Sequence, residues 1–132
     1  FTTDAQTYNL TSASVILRLG SSAGAITAFL YDDASGLPGS QILTFTPFSP
    51  TVGGDQTVIF TASTLFVLEP NTTYHLALNS PTSTDSPASR NANWGAIEDG
   101  TFTFSGPGST ADEREVSGDG GLSWVRINDH AL

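Results

Sequence analysis

At 132 residues the chain has the length of one domain, and a domain of that size buries roughly two-thirds of its unfolded surface around a single core. Thirteen acidic residues against four basic ones, with no lysine, leave a net charge of −9, which repels nucleic-acid backbones and anionic membrane surfaces alike. The absence of cysteine excludes disulfides, thiolate nucleophiles and thiolate metal sites, and the absence of lysine excludes Lys–Asn cross-links.

The chain alternates short β-runs with Gly, Pro, Asp and Ser punctuation. In Ser14–Leu19, Val15, Leu17 and Leu19 share one face and Arg18 points away. Gly20–Gly24 breaks the run. From Ala25 to Asp32, Ile26, Ala28 and Leu30 lie on one face, with Thr27, Phe29 and Tyr31 on the other. Asp33–Gly39 is dense turn chemistry, combining glycines free to take positive φ with a proline of fixed φ. Gln41–Phe45, Gln56–Thr61 and Thr73–Asn79 are further strand candidates. Thr64–Leu68 is an apolar run of core-strand length, which Glu69-Pro70-Asn71 ends. Ser80–Arg90 is polar and reads as a loop; Asn93–Ile97, Thr101–Phe104 and Leu122–Ile127 resume strand character. Asp99-Gly100, between two β-runs, signals a type I′ hairpin. Asp112–Glu115 is a charged patch. No window carries helical spacing over three turns.

The expected fold is all-β, one domain over residues 1–132: an antiparallel β-sandwich or jelly roll of about eight strands, because each alternating strand has one apolar face to hide. Its expected core is Val15, Leu17, Leu19, Ile26, Leu30, Val58, Phe60, Leu76, Leu78, Trp94 and Trp124.

Several stretches together resemble a known family. They are Phe1-Thr2-Thr3, Tyr8–Ser12, Leu30–Asp33 ahead of Gly36–Ser40, Leu65 and Leu68–Tyr74 before His75–Leu78, Trp94, and Ser117–Trp124. The pattern, which spans nearly the whole chain, resembles the choice-of-anchor R domain group of bacterial surface proteins. That resemblance implies a secreted β-sandwich at the cell surface or in the matrix, usually followed by a sorting segment of the PEP-CTERM kind. It implies no enzymatic activity and brings no catalytic residues. The family pattern usually runs on past the equivalent of Asn128–Leu132 into another strand.

The chemistry-bearing residues are sparse. Gly20-Ser21-Ser22-Ala23-Gly24 matches the form of a nucleophile elbow, but that motif needs a strand-to-helix turn in an α/β fold, and a plain Gly/Ser turn is expected. His75 and His130 have no metal-ligand spacing, and His75 reads as a solvent-facing strand residue. Calcium takes six to eight oxygens, which acidic, glycine-rich turns can supply; Asp32, Asp33 and Asp119 are the candidate ligands, against ordinary turn acids. Trp94, Trp124 and Tyr31 are the candidate stacking platform for a polysaccharide, against a place in the core. Asn9-Leu10-Thr11 and Asn71-Thr72-Thr73 match N-glycosylation sequons.

The function expected is that of a non-catalytic, extracellular structural or adhesive module, partnered by copies of itself or by neighbouring surface-protein domains. Abundant Thr and Ser (18 and 16), few basic residues and acidity favour a bacterial cell-surface setting. A chain beginning with Phe1 is expected to be processed or excised, and no apolar run reaches the ~18 residues of a membrane span. A carbohydrate-binding module, stabilised by calcium, is the alternative. Self-association is expected through Phe1, Thr2 and Thr3, an extended segment with an aromatic anchor that suits β-augmentation of a neighbour.

Overall fold

A computed structural model describes residues 1–19, 25–49 and 54–79, together with three short strands at 92–94, 114–116 and 125–127. The described residues are all-β, without helix. The strands are β1 (Tyr8–Leu19), β2 (Thr27–Asp33), β3 (Pro38–Thr44), β4 (Gly54–Leu68), β5 (Tyr74–Asn79), β6 (Ala92–Trp94), β7 (Arg114–Val116) and β8 (Val125–Ile127). Two three-stranded sheets form, in the orders β4-β1-β6 and β3-β2-β5, and β7 pairs with β8. Every pairing is antiparallel.

One core joins the two larger sheets. Val15, Leu17, Val58, Phe60 and Leu68 come from the first, and Ile26, Ala28, Leu30, Leu43, Phe45 and Tyr74 lie on or beside the second. Leu76 and Leu78 pack at its margin. Alternation explains the membership: positions 15 and 17 of β1 and 58 and 60 of β4 project inward, while Ile16 and Ile59 between them stand outside. Of the expected core residues, the side chains of Leu19 and Trp94 lie outside the described residues, as does the whole of Trp124.

Two features depart from the sequence-based expectation, and the expected turn within Asp33–Gly39 takes a defined form. The run Thr64–Leu68 is not a separate buried strand. It is the end of the fifteen-residue β4, with Leu65 76% exposed and Leu68 7% exposed. Tyr31, expected opposite the core face, does lie across from His75 in the unbroken β2–β5 register, yet it is buried at 6% exposure and stands apart from the core cluster. The hairpin with both central residues at positive φ is at Ser35 (60°) and Gly36 (84°), flanked by Ala34 and Leu37 exchanging backbone bonds of 2.8 and 3.4 Å. Positive φ at both positions is what a type I′ turn requires, and it matches strand twist. Asp99-Gly100 lies outside the described residues.

The two sheets are stitched where the chain leaves β3. Phe45 N–H donates to the Ala28 carbonyl at 3.0 Å and Thr46 N–H to Thr61 at 2.8 Å, while Ser63 Oγ donates to the Thr44 carbonyl at 2.5 Å. Phe45 is fully buried between them. Phe45→Ala is therefore expected to destabilise the fold by about 3–5 kcal/mol, from lost transfer energy and the cavity left behind. Leu65→Ala should stay within about 0.5 kcal/mol. Urea denaturation of the two variants checks the contrast, and equal midpoints would show the inward face misassigned.

Candidate functional site

The N-terminal segment is bound within its own chain. Phe1 and Tyr74 exchange two backbone bonds of 2.8 Å, one from the Phe1 amine and one to its carbonyl. Thr3 N–H donates to the Thr72 carbonyl at 3.0 Å, and Asn71 N–H to that of Asp4 at 2.7 Å. The Thr2 and Thr73 hydroxyls are 2.8 Å apart. Thr3, 5% exposed, donates its hydroxyl to the Glu69 carbonyl at 2.6 Å and accepts from Thr72 N–H at 2.9 Å. The Phe1 ring packs on Tyr74 at 5.7 Å between centroids. Phe1 and Thr3 thus spend their backbone groups within the chain, and donating them to a neighbour would require these contacts to open.

Beyond it, the Asp4 carboxylate accepts the Tyr8 hydroxyl at 2.9 Å. Burial, then the hydrogen bond and charge of Asp4, push the Tyr8 phenol above its ordinary 10.0. The folded state holds that proton more tightly than the unfolded chain, so the interaction contributes fully below pH about 10 and is lost as pH rises through the folded value. Thermal melts above pH about 10 should show wild type losing stability faster than Tyr8→Phe; parallel curves would remove Tyr8 as the cause.

The candidate calcium ligands serve the β2–β3 turn. Asp32 Oδ1 accepts from Ser40 N–H at 2.5 Å. Both Asp33 oxygens accept from Gly36 N–H at 3.1 Å, and Asp33 Oδ1 is 2.8 Å from His75 Nε2. Successive strand positions face opposite ways, and the two carboxylates are engaged by different donors. Asp119 lies outside the described residues, and among the described residues no three acidic or histidine side chains gather as a metal site would need. His75, expected to face solvent, instead has a side chain only 14% exposed against Asp33. Its partner is 42 positions away, beyond the reach of motif spacing. Gly39 makes room here, because a Cβ would displace the Asp32 carboxylate and crowd Ala34 Cβ at 3.0 Å. Gly39→Ala should cost about 1–3 kcal/mol, since moving Asp32 aside abandons Ser40 N–H. A melting temperature equal to wild type would show that the carboxylate can move freely.

Of the candidate sugar platform, Tyr31 is buried and offers little ring face to solvent. Trp94 is placed in β6 opposite Leu17, its side chain outside the described residues like the whole of Trp124. His130 and Gly20–Gly24 are outside them too.

The most distinctive surface is one that sequence reasoning missed. Along the β1–β4 ribbon, Ile16 (59%), Ile59 (64%), Leu65 and Val67 (41%) are exposed. Ser14 lies opposite Ile59, Ile16 opposite Thr57, and Asn9 opposite Val67, so apolar side chains interleave with small polar ones. The register shifts between Leu10 and Ser12, where Phe66 and Thr61 are the respective partners. The extra β4 residues bulge there, and Leu10, Thr11, Ala62, Ser63 and Leu65 line a shallow depression. Residues 8–17 and 56–68 contain no charged side chain. Period-2 alternation across both runs was the available signal; it was obscured by reading Thr64–Leu68 as a core strand.

Comparison with family models, with curated proteins and with solved structures finds no match.

Proposed function

We propose that the chain is a non-catalytic structural or adhesive module of a bacterial surface or matrix assembly, built as an antiparallel β-sandwich of the jelly-roll kind. The carrying observation is the uncharged, apolar and Thr/Ser-lined outer face of β1 and β4, on a chain that is otherwise strongly acidic. Exposed apolar surface in a sheet face marks a place of contact. A long, shallow face of aliphatic and hydroxyl side chains suits the packing of domain on domain better than the enclosure of a small substrate. The resemblance to the choice-of-anchor R group and the composition support an extracellular setting.

Surface proteolysis of intact producing cells should remove the chain while leaving cytosolic proteins whole. A chain protected inside the cell would overturn the reading. Retention on cellulose or chitin, lost in Trp94→Ala or Trp124→Ala, would replace it with carbohydrate binding.

A further inference from the structure

The outer strip of β1 and β4 is the one described surface that joins exposed large apolar residues to a complete lack of charge. Ile16 and Ile59 are diagonal neighbours across the two strands, and Leu65 and Val67 continue the same face along β4. The strip ends at Arg18 and Asp55, which the register sets opposite each other. Within it, residues 8–17 and 56–68 hold no acid or base, although 13% of the chain is charged.

We propose that this strip is a contact between two copies of the chain, packed sheet to sheet about a two-fold axis; the proposal rests on the structural role above and names its partner. Charge selects that occupant. A cationic partner would be drawn to the acidic remainder, and an acidic one repelled, but neither finds a charge to pair with on the strip. A sugar would seek exposed aromatic faces, and the four exposed apolar residues are aliphatic. A second copy brings the same neutral, aliphatic strip, and an isologous contact sets like surface on like. Elsewhere two chains of net charge −9 repel each other, which leaves the neutral strip as their most favourable approach.

Geometry sets the strength. Two strands about 4.8 Å apart and about 40 Å long, with their side chains reaching to either side, present on the order of 500 Å². Two copies then bury roughly 1,000 Å², at the lower edge of specific interfaces. The dimer is therefore weak and concentration-dependent. Its salt response is diagnostic: ions screen the repulsion between acidic bodies and sulfate strengthens apolar contact, so salt tightens the dimer. A charge-paired contact would loosen.

Sedimentation equilibrium over a wide concentration range, with and without added sulfate, provides the test. The expected result is a monomer–dimer equilibrium shifted towards dimer by sulfate, at least tenfold weaker in Ile59→Glu. Leu65→Ser, a milder change at a more exposed position, should also weaken it if Ile59→Glu fails to fold. The cysteine-free chain allows a second measurement. Ser14→Cys carries a single thiol on the strip and should oxidise to disulfide dimers as concentration rises, whereas Gln41→Cys on β3, exposed elsewhere, should lag behind. A monomer under all conditions would overturn the proposal. So would a dimer indifferent to Ile59→Glu and Leu65→Ser, or a Ser14→Cys thiol that no reagent reaches at any dilution, which would mean that the chain covers its own strip. Polysaccharide binding lost in Ile59→Glu would hand the face to a sugar and overturn the proposal too. A monomer that surface proteolysis still removes from cells leaves the structural role standing, so the two failures are distinguishable.

Discussion

The corner at residues 69–74 carries the chain from the sheet containing β4 into the sheet containing β5, and residues 69–73 lie between those two strands. A buried peptide group left unpaired costs about 1–3 kcal/mol, so the bonds made at this half-buried corner help hold the two sheets on one core. Tyr74 does most of that work. Its hydroxyl accepts from Glu69 N–H at 2.9 Å, its backbone pairs with Phe1, and its ring meets Phe66 edge-on at 6.2 Å. A tyrosine near the start of a strand, bonded back to the backbone just upstream, is a corner device of two-sheet β-folds. Thr3 and the Asp4 carbonyl bond to the corner from the N-terminal segment, and Asn71, at φ 50°, tolerates the left-handed position that the turn demands.

The parts of this fold visible in the sequence are those that depend on neighbours close along the chain. The alternation of Val15 and Leu17, of Ile26, Ala28 and Leu30, and of Val58 and Phe60 announces strands and their buried faces. Turn residues mark the ends of β2 and β4. What the sequence hides is set by register. Tyr31 has the spacing of an outward residue and is nevertheless buried, and the β3 residues beside it are paired out of simple register. Leu43, Phe45 and Tyr74 join the core because of how two sheets meet, which no single strand encodes. Asp33 and His75 become partners only when β2 and β5 are side by side.

The β1–β4 strip was hidden for a different reason. A run such as Thr64–Leu68 satisfies two patterns at once, a continuous apolar strand and an alternating one, and composition cannot choose between them. Pairing with β1 decides it, since Leu10 lies opposite Phe66 and Asn9 opposite Val67. The charge pattern was legible throughout, but it has meaning only once two distant neutral runs are known to lie together. Acidic residues outside the strip then have a physical role: net charge well away from zero keeps a chain with an exposed apolar face in solution.

The same ribbon governs the order in which the chain can fold. β2 and β3 meet across a tight turn at Ser35 and Gly36, and a hairpin of that kind closes in about 1–10 μs. Tyr8 and Leu68 are separated by about sixty residues, so their ladder must wait for a far larger loop to close. During that interval β4 is a long strand with no charge and no proline between residues 56 and 68, the kind of segment that pairs with its own kind in other chains. The extra residues near Ala62 counter this in part. They give β4 a kink that a flat intermolecular stack cannot repeat, while Ser63 anchors the kink to Thr44. Refolding yield is consequently a matter of kinetic competition. A nascent chain gains from having β2 and β3 already paired, with Thr44 in place to receive β4, when the last residues of that strand emerge.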